Sequence, residues 1–271
     1  MSITEKIRNN YARGGLRELL AVAGRKLDNL TRRRLDLYLF YDHKWTYVRR
    51  WMLSPFYHRL FRALGFIEAE HQLGRLMHMR EALLTLKAAG VQGDLVEFGS
   101  YQGFSLYWLA RFRDELGMDF RIIGVDSFEG LPVSSTIWKQ GLFSDTSREA
   151  CERAVLAALG GGTLEERKIY VVQGLFNAPA VAERLLSLTR RIAAAHVDCD
   201  LGSSASQALD LVLKAGVTEP FALLFDDWYW HQEEIPASFE VFLKTRLPGA
   251  AARELSRTRY TRYLLVSGAA R

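Results

Sequence analysis

The sequence predicts an α/β fold: a doubly wound, mostly parallel sheet that gains an antiparallel strand from a C-terminal hairpin. Three observations support this fold class. Short apolar runs alternate with helical segments after residue 90, two strand-like runs stand almost side by side near the C-terminal end, and the first 90 residues carry helical patterns. We therefore expect a helical N-terminal extension over residues 1–90 and a sheet-containing domain over residues 91–271.

The N-terminal extension is predicted to be helical because its apolar residues recur about every 3.6 residues. Residues 16–27 carry one such stripe, and residues 68–89 carry a clearer one that Gly90 should end. Between them, Pro55 should start or break a helix within the aromatic stretch 45–65.

The sheet-containing domain is predicted from its alternating strands and helices, which favour right-handed crossovers between parallel strands. The expected strands are Leu95–Phe98, Ile122–Val125, Ile169–Val172, Ile192–Val197 and Ala222–Phe225. The expected helices lie near residues 104–116, 147–159, 178–188, 203–215 and 236–246. The C-terminal hairpin is expected to pair Ala252–Thr258 with Tyr260–Ser267.

Composition excludes several classes of protein. The chain has 271 residues, of which 49% are hydrophobic and 25% are charged, so wholesale disorder is excluded. Its two cysteines, Cys151 and Cys199, cannot form a disulfide framework or a four-cysteine zinc site. Neither a secretory signal nor an apolar stretch of membrane-spanning length is visible, so we expect a cytoplasmic protein.

Charge is distributed unevenly along the chain. Residues 1–80 contain 16 Lys+Arg and 7 Asp+Glu, a net charge of +9, whereas the whole chain carries +5. A basic arm is typical of proteins that bind nucleic acid, an anionic membrane surface or an acidic partner. A solvated helical face with scattered arginines is the alternative.

Polar or glycine-containing segments follow all five expected parallel strands. In open α/β sheets, ligands bind at the carboxyl ends of the strands, so these segments predict one long crevice. The segments begin at Glu97, Asp126, Gln173, Asp198 and Asp226.

The first segment, from Glu97 to Gly103, combines a strand end, a glycine turn and a helix start. Gly99 and Gly103 would let the backbone approach a ligand closely, but their spacing is not that of the dinucleotide fingerprint. The acidic Glu97 argues against a bound pyrophosphate and suits a ligand that carries a positive amine. A strand-to-helix turn without a ligand is the alternative.

Asp126 ends the next strand along the chain. A carboxylate there can accept hydrogen bonds from the hydroxyls of a ribose, as acidic residues do in related nucleotide sites. The alternative is a turn or helix-cap residue, because Ser127 and Gly130 follow closely.

Asp198, Asp226 and Asp227 follow two strands that are expected to be neighbours. Three carboxylates brought together would repel one another, and a hard divalent cation would offset that repulsion. Oxygen ligands favour Mg²⁺ or Mn²⁺, whereas zinc would need cysteine or clustered histidine ligands. The alternative is that these acids cap helices or pair with arginines.

Three further residues near the acids have side chains that could take part in chemistry. His196 precedes Asp198 on the same strand and is a candidate catalytic base, with a packed, hydrogen-bonded histidine as the alternative. Cys199 is flanked by acids, which should raise its pKa and disfavour a nucleophilic thiolate. His231 follows an aromatic run beyond the acid pair, where either a substrate or a surface loop would lie.

Four stretches of the sequence resemble the macrocin O-methyltransferase family. They are Gly93–Gly99, Val125–Pro132, His196–Leu201 and Phe225–Trp228. The resemblance implies a Rossmann-like class I methyltransferase that uses S-adenosyl-L-methionine. Many members of the family methylate sugar hydroxyls with the help of a divalent metal.

The resemblance also implies which residues bind the cofactor. They are Glu97, Gly99, Ser100, Gly103, Ser105, Asp126, Ser127, Phe128, Gln173 and Gly174. Among them, Glu97, Gly99 and Gly103 would line the methionine end, and Asp126 would bind the ribose. Ser127 and Phe128 would lie near the adenosine, with Gln173 and Gly174 beside the adenine.

The same resemblance implies that Asp198, Asp226 and Asp227 hold the metal. Asp198 is also a candidate for the catalytic base, with His196 as the other candidate. Gly202 departs from the family pattern, which usually has tyrosine at this position, so contacts with the substrate are expected to differ there.

The expected function is transfer of a methyl group to a hydroxyl of a sugar, in a glycan or a glycosylated natural product. Two alternatives stay open: a phenolic or catechol acceptor, and a non-catalytic, membrane-associated protein with a degenerate fold. The N-terminal helices are expected to cover the crevice, form a homodimer interface or contact the inner face of the membrane. Nucleic acid is a weaker hypothesis, because only the charge supports it.

Overall fold

The computed structural model describes residues 23–24, 26–27, 55–65, 67–228, 234–258 and 260–268. By its internal contacts the chain divides into two compact units, Met1–Leu73 and Gly74–Arg271. The helix expected over residues 16–27 and the start of the aromatic stretch 45–65 lie mostly outside the described residues. The homodimer and membrane contacts expected of the N-terminal helices therefore stay predictions, and so does the domain boundary at residue 90.

Two helices precede the sheet: α1 (Pro55–Ala63) and α2 (Ile67–Ala88). Pro55 is the first residue of α1, as expected of a residue that supplies no backbone donor. After α2, Gly90 adopts a φ of +66° and the amide of Val91 donates to the carbonyl of Leu86 at 3.0 Å. This left-handed cap confirms the predicted helix and its end.

The sheet contains seven strands. They are β1 (Asp94–Phe98), β2 (Ile122–Asp126), β3 (Ile169–Gln173), β4 (Ile192–Val197), β5 (Val217–Phe225), β6 (Ala251–Arg257) and β7 (Arg262–Ser267). The intervening helices are α3 (Phe104–Glu115), α4 (Arg148–Ala158), α5 (Pro179–Leu188), α6 (Gly202–Ala215) and α7 (Glu234–Arg246). Strand β5 begins earlier than predicted, because Val217 pairs with Ile192 across an irregular register.

The strand order is β3-β2-β1-β4-β5-β7-β6, with β1 to β5 parallel. The predicted antiparallel hairpin is confirmed, and β7 inserts between β5 and β6. The order reverses between β1 and β4, which pair in register from Leu95 with Ala194 to Phe98 with Val197. A ligand crevice is therefore expected where these two strands end.

Strand β4 lies at the middle of the sheet, and all six of its residues are buried. Alanines make up half of it, which lets helices pack closely on both faces. The core beside it is apolar and includes Phe98, Val197 and Phe225. Strand ends anchored in such a core hold the residues that follow them rigidly. None of the helices within the described ranges has both the length and the apolar character needed to cross a membrane.

Candidate active site

The glycine turn after β1 is shaped by the close approach of β4. Gly99 has a φ of +94°, and a Cβ built on it would lie 1.6 Å from the carbonyl oxygen of Asp198. Gly103 has a φ of +86°, and its Cβ would lie 2.5 Å from a methyl group of Val155. Both glycines are thus required by packing, which is sufficient to explain them without a ligand.

Two serines predicted for the cofactor site lie in the same turn. Ser100 and Ser105 are 4% and 6% exposed. A Cβ on Gly124 would lie 2.5 Å from the hydroxyl of Ser100, so this hydroxyl fills the space beside β2. Within the described part of the chain, the Ser100 hydroxyl has no hydrogen-bond partner.

Glu97 and His196 form a buried pair across the β1–β4 boundary. An oxygen of Glu97, Oε1, lies 2.9 Å from Nδ1 of His196, and the two residues are 0% and 3% exposed. Burial opposes protonation of the ring. However, the hydrogen bond and charge of Glu97, with the charges of Asp198 and Asp226, outweigh burial and raise the pKa of His196. The other carboxylate oxygen, Oε2, has no hydrogen-bond partner among the residues that the structure describes.

Asp126 ties the end of β2 to the glycine turn. Its Oδ2 accepts the backbone N–H of Tyr101 at 2.8 Å, and its Oδ1 accepts that of Phe128 at 2.7 Å. Tyr101 and Phe128 have φ values of 45° and 57°, so the carboxylate holds two backbone segments in the left-handed region. The turn role given as the alternative for Asp126 is therefore present, and each oxygen keeps further lone-pair capacity for a ligand.

The ends of β2 and β3 lie side by side. The amide of Gly174 donates to the carbonyl of Asp126 at 2.8 Å. The side-chain amide of Gln173 approaches the carbonyl of Ser127 at 3.5 Å. The residues predicted to contact adenosine and adenine are thus brought together, as the topology required.

The sequence analysis did not predict the aromatic cluster that lies beside Asp126. The hydroxyl of Tyr101 donates to Asp145 at 2.7 Å, and the Tyr101 ring meets the Phe143 ring edge-on, 5.5 Å between centroids. Trp138 packs against Phe143 with centroids 5.8 Å apart. In the sequence, this cluster was indicated only by Trp138 and Phe143, which lie in the loop between β2 and α4.

Asp198, Asp226 and Asp227 come together just beyond β4 and β5. The backbone ladder continues past the strand ends, because Asp198 N donates to Phe98 O at 2.9 Å and Asp226 N donates to Val197 O at 3.0 Å. Asp226 and Asp227 are buried, and the Asp198 side chain is 18% exposed. The structure therefore places these three residues at neighbouring strand ends beside the glycine turn, and their role as a set of metal ligands stays a prediction.

Arg75 of α2 bridges two of the three acids. Its Nη1 lies 2.7 Å from Oδ2 of Asp198 and 3.1 Å from Oδ2 of Asp226. An ion pair with an arginine was the alternative to metal binding, and both Asp198 and Asp226 form such a pair. Arg75 was missed because it lies 123 residues before Asp198 on a helix outside the strand pattern.

Asp200 is a fourth member of the acid cluster. It shares a side-chain hydrogen bond with Asp227, and the φ values of the two residues are 59° and 54°. Two carboxyl groups can share a hydrogen bond only when one of them holds a proton. Asp200 lies within His196–Leu201, one of the stretches that carry the family resemblance. The sequence did not indicate its contact with Asp227, because that contact depends on the left-handed backbone of Asp200.

Burial and mutual repulsion raise the pKa values of three acids in the cluster. Burial, followed by the charge of Asp226, raises the pKa of Asp198 to about 6, although Arg75 acts in the opposite direction. Burial and the charges of Asp198 and Asp226 raise the pKa of Asp200 to about 7. Burial, followed by the charges of Asp226, Asp200 and Asp198, raises the pKa of Asp227 well above its usual range.

A divalent cation fits this donor set. All four acids offer carboxylate oxygens, which are the ligands that Mg²⁺ and Mn²⁺ prefer. A cation would hold the carboxylates in the ionised form that burial and mutual repulsion now disfavour. Cys199 lies beside the cluster, and burial raises the pKa of its thiol well above the usual value, as the flanking acids predicted.

Gly202, the departure from the family pattern, lies where α6 meets α7. A Cβ on Gly202 would lie 2.8 Å from the Cβ of Glu234. Glu234 accepts the Gly202 N–H at 3.3 Å, and the Ser238 hydroxyl donates to the Gly202 carbonyl at 2.8 Å. A larger side chain would push α7 away, so the departure has a packing reason. His231 lies outside the described residues.

The strand order, with its reversal between β1 and β4, is that of a class I methyltransferase fold. Solved structures of this class share it with the chain. The calicheamicin methyltransferase CalS11 is 21% identical with a TM-score of 0.60, covering 87% of this chain and 91% of that one. The O-methyltransferase NovP is 20% identical with a TM-score of 0.54, covering 71% of this chain and 79% of that one.

The sequence profile of the macrocin-O-methyltransferase (TylF) family matches residues 71–246, which is more than half of the chain. The chain therefore belongs to this family of sugar and natural-product O-methyltransferases and is a methyltransferase. The predicted fold class and resemblance are confirmed. A search among curated protein sequences finds no significant match.

Proposed function

We propose that the protein transfers the methyl group of S-adenosyl-L-methionine to a hydroxyl of a sugar, with a divalent metal held by Asp198, Asp226 and Asp227. One observation carries the proposal. A largely buried cluster of carboxylates with raised pKa values lies directly beside the glycine turn that separates β1 from α3. Family membership supplies the reaction class, and the cluster supplies the reason for a metal.

The cofactor would lie along the ends of β1, β2 and β3. The buried Glu97 keeps one oxygen, Oε2, without a hydrogen-bond partner among the described residues, which suits the ammonium group of the methionine moiety. Asp126 would accept the ribose hydroxyls while it holds the amides of Tyr101 and Phe128 in place. The adjoining Gln173 would then flank the adenine.

Methyl transfer needs an acceptor oxygen in line with the methyl carbon and the sulfur. The acceptor oxygen forms a bond to the methyl carbon, and the carbon–sulfur bond breaks with its electron pair remaining on sulfur. The metal, when bound, would lower the pKa of the acceptor hydroxyl. Asp198 would accept the hydroxyl proton, because its carboxylate follows the end of β4, directly beside the glycine turn where the methyl donor would lie.

His196 would support the proton transfer rather than act as its base. Its Nδ1 is engaged by Glu97 at 2.9 Å, and the ring is almost fully buried. The raised pKa favours an imidazolium, which would add positive charge behind the carboxylates. We therefore assign the base to Asp198.

The acceptor is proposed to be a sugar that carries a free hydroxyl beside the metal. One CalS11 structure, 21% identical with a TM-score of 0.52 and covering 87% of this chain and 93% of that one, is described as a TDP-rhamnose 3′-O-methyltransferase. A nucleotide-linked 6-deoxysugar is accordingly the first acceptor to test. A glycosylated natural product that displays the same sugar is the second.

The test is a mass-spectrometric assay with trideuteromethyl-labelled cofactor. The purified enzyme is incubated with TDP-rhamnose, a rhamnosylated aglycone or catechol, in Mg²⁺ or in EDTA. A labelled methyl group on the sugar that disappears in EDTA and returns with Mg²⁺ would support the proposal. Labelling of catechol alone would overturn the sugar assignment, and undiminished transfer in EDTA would overturn the metal assignment.

A matched pair of variants locates the metal effect. Asp226→Asn removes a charge from the buried cluster, whereas Asp210→Asn removes one from an exposed ion pair with Arg246. Only the first substitution is expected to abolish Mg²⁺-dependent transfer.

A further inference from the structure

Arg75 places a fixed positive charge inside the acid cluster. We propose that this guanidinium is the resident counter-ion of Asp198 and Asp226, that it competes with the divalent cation for them, and that it thereby sets the affinity for the metal. The inference rests on the metal site of the proposed function. The sequence patterns did not place Arg75 at this site.

The geometry is that of a single donor shared by two acids. The same nitrogen, Nη1, lies 2.7 Å from an oxygen of Asp198 and 3.1 Å from an oxygen of Asp226. The Arg75 side chain is only 12% exposed, so solvent screens these contacts weakly. Asp226 is 2% exposed and therefore depends on a protein group or a bound cation for its counter-charge.

The guanidinium is also held from its other side. Its central carbon lies 5.3 Å from the centroid of the Phe104 ring, at the first residue of α3. This distance is within the range of a cation–π contact. Arg75 belongs to α2, whose neighbouring residues Leu76 and Met79 are fully buried, so its backbone position is fixed.

A metal and Arg75 would draw on the same two carboxylates. Asp198 and Asp226, whose Oδ2 atoms lie 2.7 and 3.1 Å from Nη1, would supply oxygen ligands to Mg²⁺. If Arg75 leaves, its ion pairs are lost, and if it stays, two positive charges lie close together. In both cases the arginine would weaken metal binding, and in return it supplies a counter-charge to both carboxylates when no metal is bound.

Mn²⁺ binding, followed by the electron paramagnetic resonance signal of the free ion, tests this competition at pH 8. The full chain is compared with its Arg75→Met and Arg75→Lys variants. Arg75→Met is expected to bind Mn²⁺ at least about tenfold more tightly, because a competing unit charge is removed. Arg75→Lys keeps the unit charge, so its Mn²⁺ affinity is expected to lie closer to that of the native protein than the affinity of Arg75→Met does.

A thermal melt in EDTA gives a second readout that does not depend on activity. Arg75→Met is expected to melt below the native protein without metal and to recover when Mn²⁺ is added. Arg80→Met, on the same helix, removes an exposed ion pair with Glu115 and serves as the control that changes neither measurement. If Arg75→Met fails to fold, Arg75→Gln carries the comparison.

Unchanged or weaker Mn²⁺ binding by the uncharged variant would overturn the inference, since Arg75 would then only organise the ligands. Failure of the proposed function looks different: neither the native protein nor any variant would bind Mn²⁺, and the inference would fall with it. Binding by the uncharged variant alone would be the strongest support, because the arginine would then block the site outright.

Discussion

Lowering the pH from 8 to 6 in EDTA should make the protein more stable, which is the reverse of ordinary acid destabilisation. The cause is the acid cluster, where burial and mutual repulsion raise the pKa of Asp198 to about 6 and of Asp200 to about 7. A carboxyl whose pKa is higher in the folded state binds protons more tightly there. Stability therefore rises as the pH falls through the folded-state pKa.

The magnitude follows from pKa values of about 6 for Asp198 and about 7 for Asp200 in the folded protein, against the usual carboxyl value of 3.8 in the unfolded chain. Between pH 8 and pH 6, Asp200 contributes most of the change and Asp198 a smaller part, together about 2 kcal/mol. This corresponds to a rise of about 4 °C in the melting temperature for a chain of this size. The raised pKa of His196 acts in the same direction.

Differential scanning calorimetry at pH 8, 7 and 6 measures this effect. Asp200→Asn should remove most of the rise, whereas Asp210→Asn, whose side chain is 44% exposed, should leave it intact. Saturating Mg²⁺ should reverse the trend, because the metal binds the ionised carboxylates that predominate at high pH. A melting temperature that stays constant or falls between pH 8 and pH 6 in EDTA would refute the reasoning.

Three further predictions concern single residues. Asp198→Asn should lower the initial rate of methyl transfer at least about 100-fold while calorimetry shows cofactor binding within about threefold of native; full activity would exclude Asp198 as the base. Gly99→Ala should destabilise the fold by more than about 3 kcal/mol in urea unfolding, because its Cβ would meet backbone at 1.6 Å. Gly117→Ala, also at positive φ but with open space, should cost only about 1 kcal/mol, and equal losses would contradict the packing argument. Gly202→Ala should cost about 1–3 kcal/mol by displacing Glu234, and a neutral result would show that α7 adjusts freely.

Local patterns were sufficient to predict most of the fold. The apolar runs at β1 to β4 are short and continuous, and helical segments separate them. The length of the runs and their pattern therefore both predict strands. The start of β5 was missed because Thr218 and Glu219 interrupt the apolar pattern although the strand begins at Val217. The insertion of β7 between β5 and β6 depends on pairing partners, which no local pattern records.

The candidate site was predictable where topology alone brings residues together. Asp198 and Asp226 end adjacent parallel strands, so their proximity follows from strand order. Arg75 could not be predicted, because its place depends on how α2 packs rather than on any strand end. Asp200 was equally hidden, since only its left-handed backbone brings it to Asp227. The sequence pattern identified Gly99, but the reason that glycine is needed at this position is its contact with the backbone of Asp198.

Calorimetric titration of S-adenosyl-L-methionine into protein stripped of copurified cofactor tests the central claim most directly, because it requires no knowledge of the acceptor. We predict one binding site with micromolar affinity, in Mg²⁺ and in EDTA alike, because the cofactor residues at β1 to β3 are not among the proposed metal ligands. Absence of binding in a sample that is shown to be folded would contradict the proposed cofactor and the mechanism built on it.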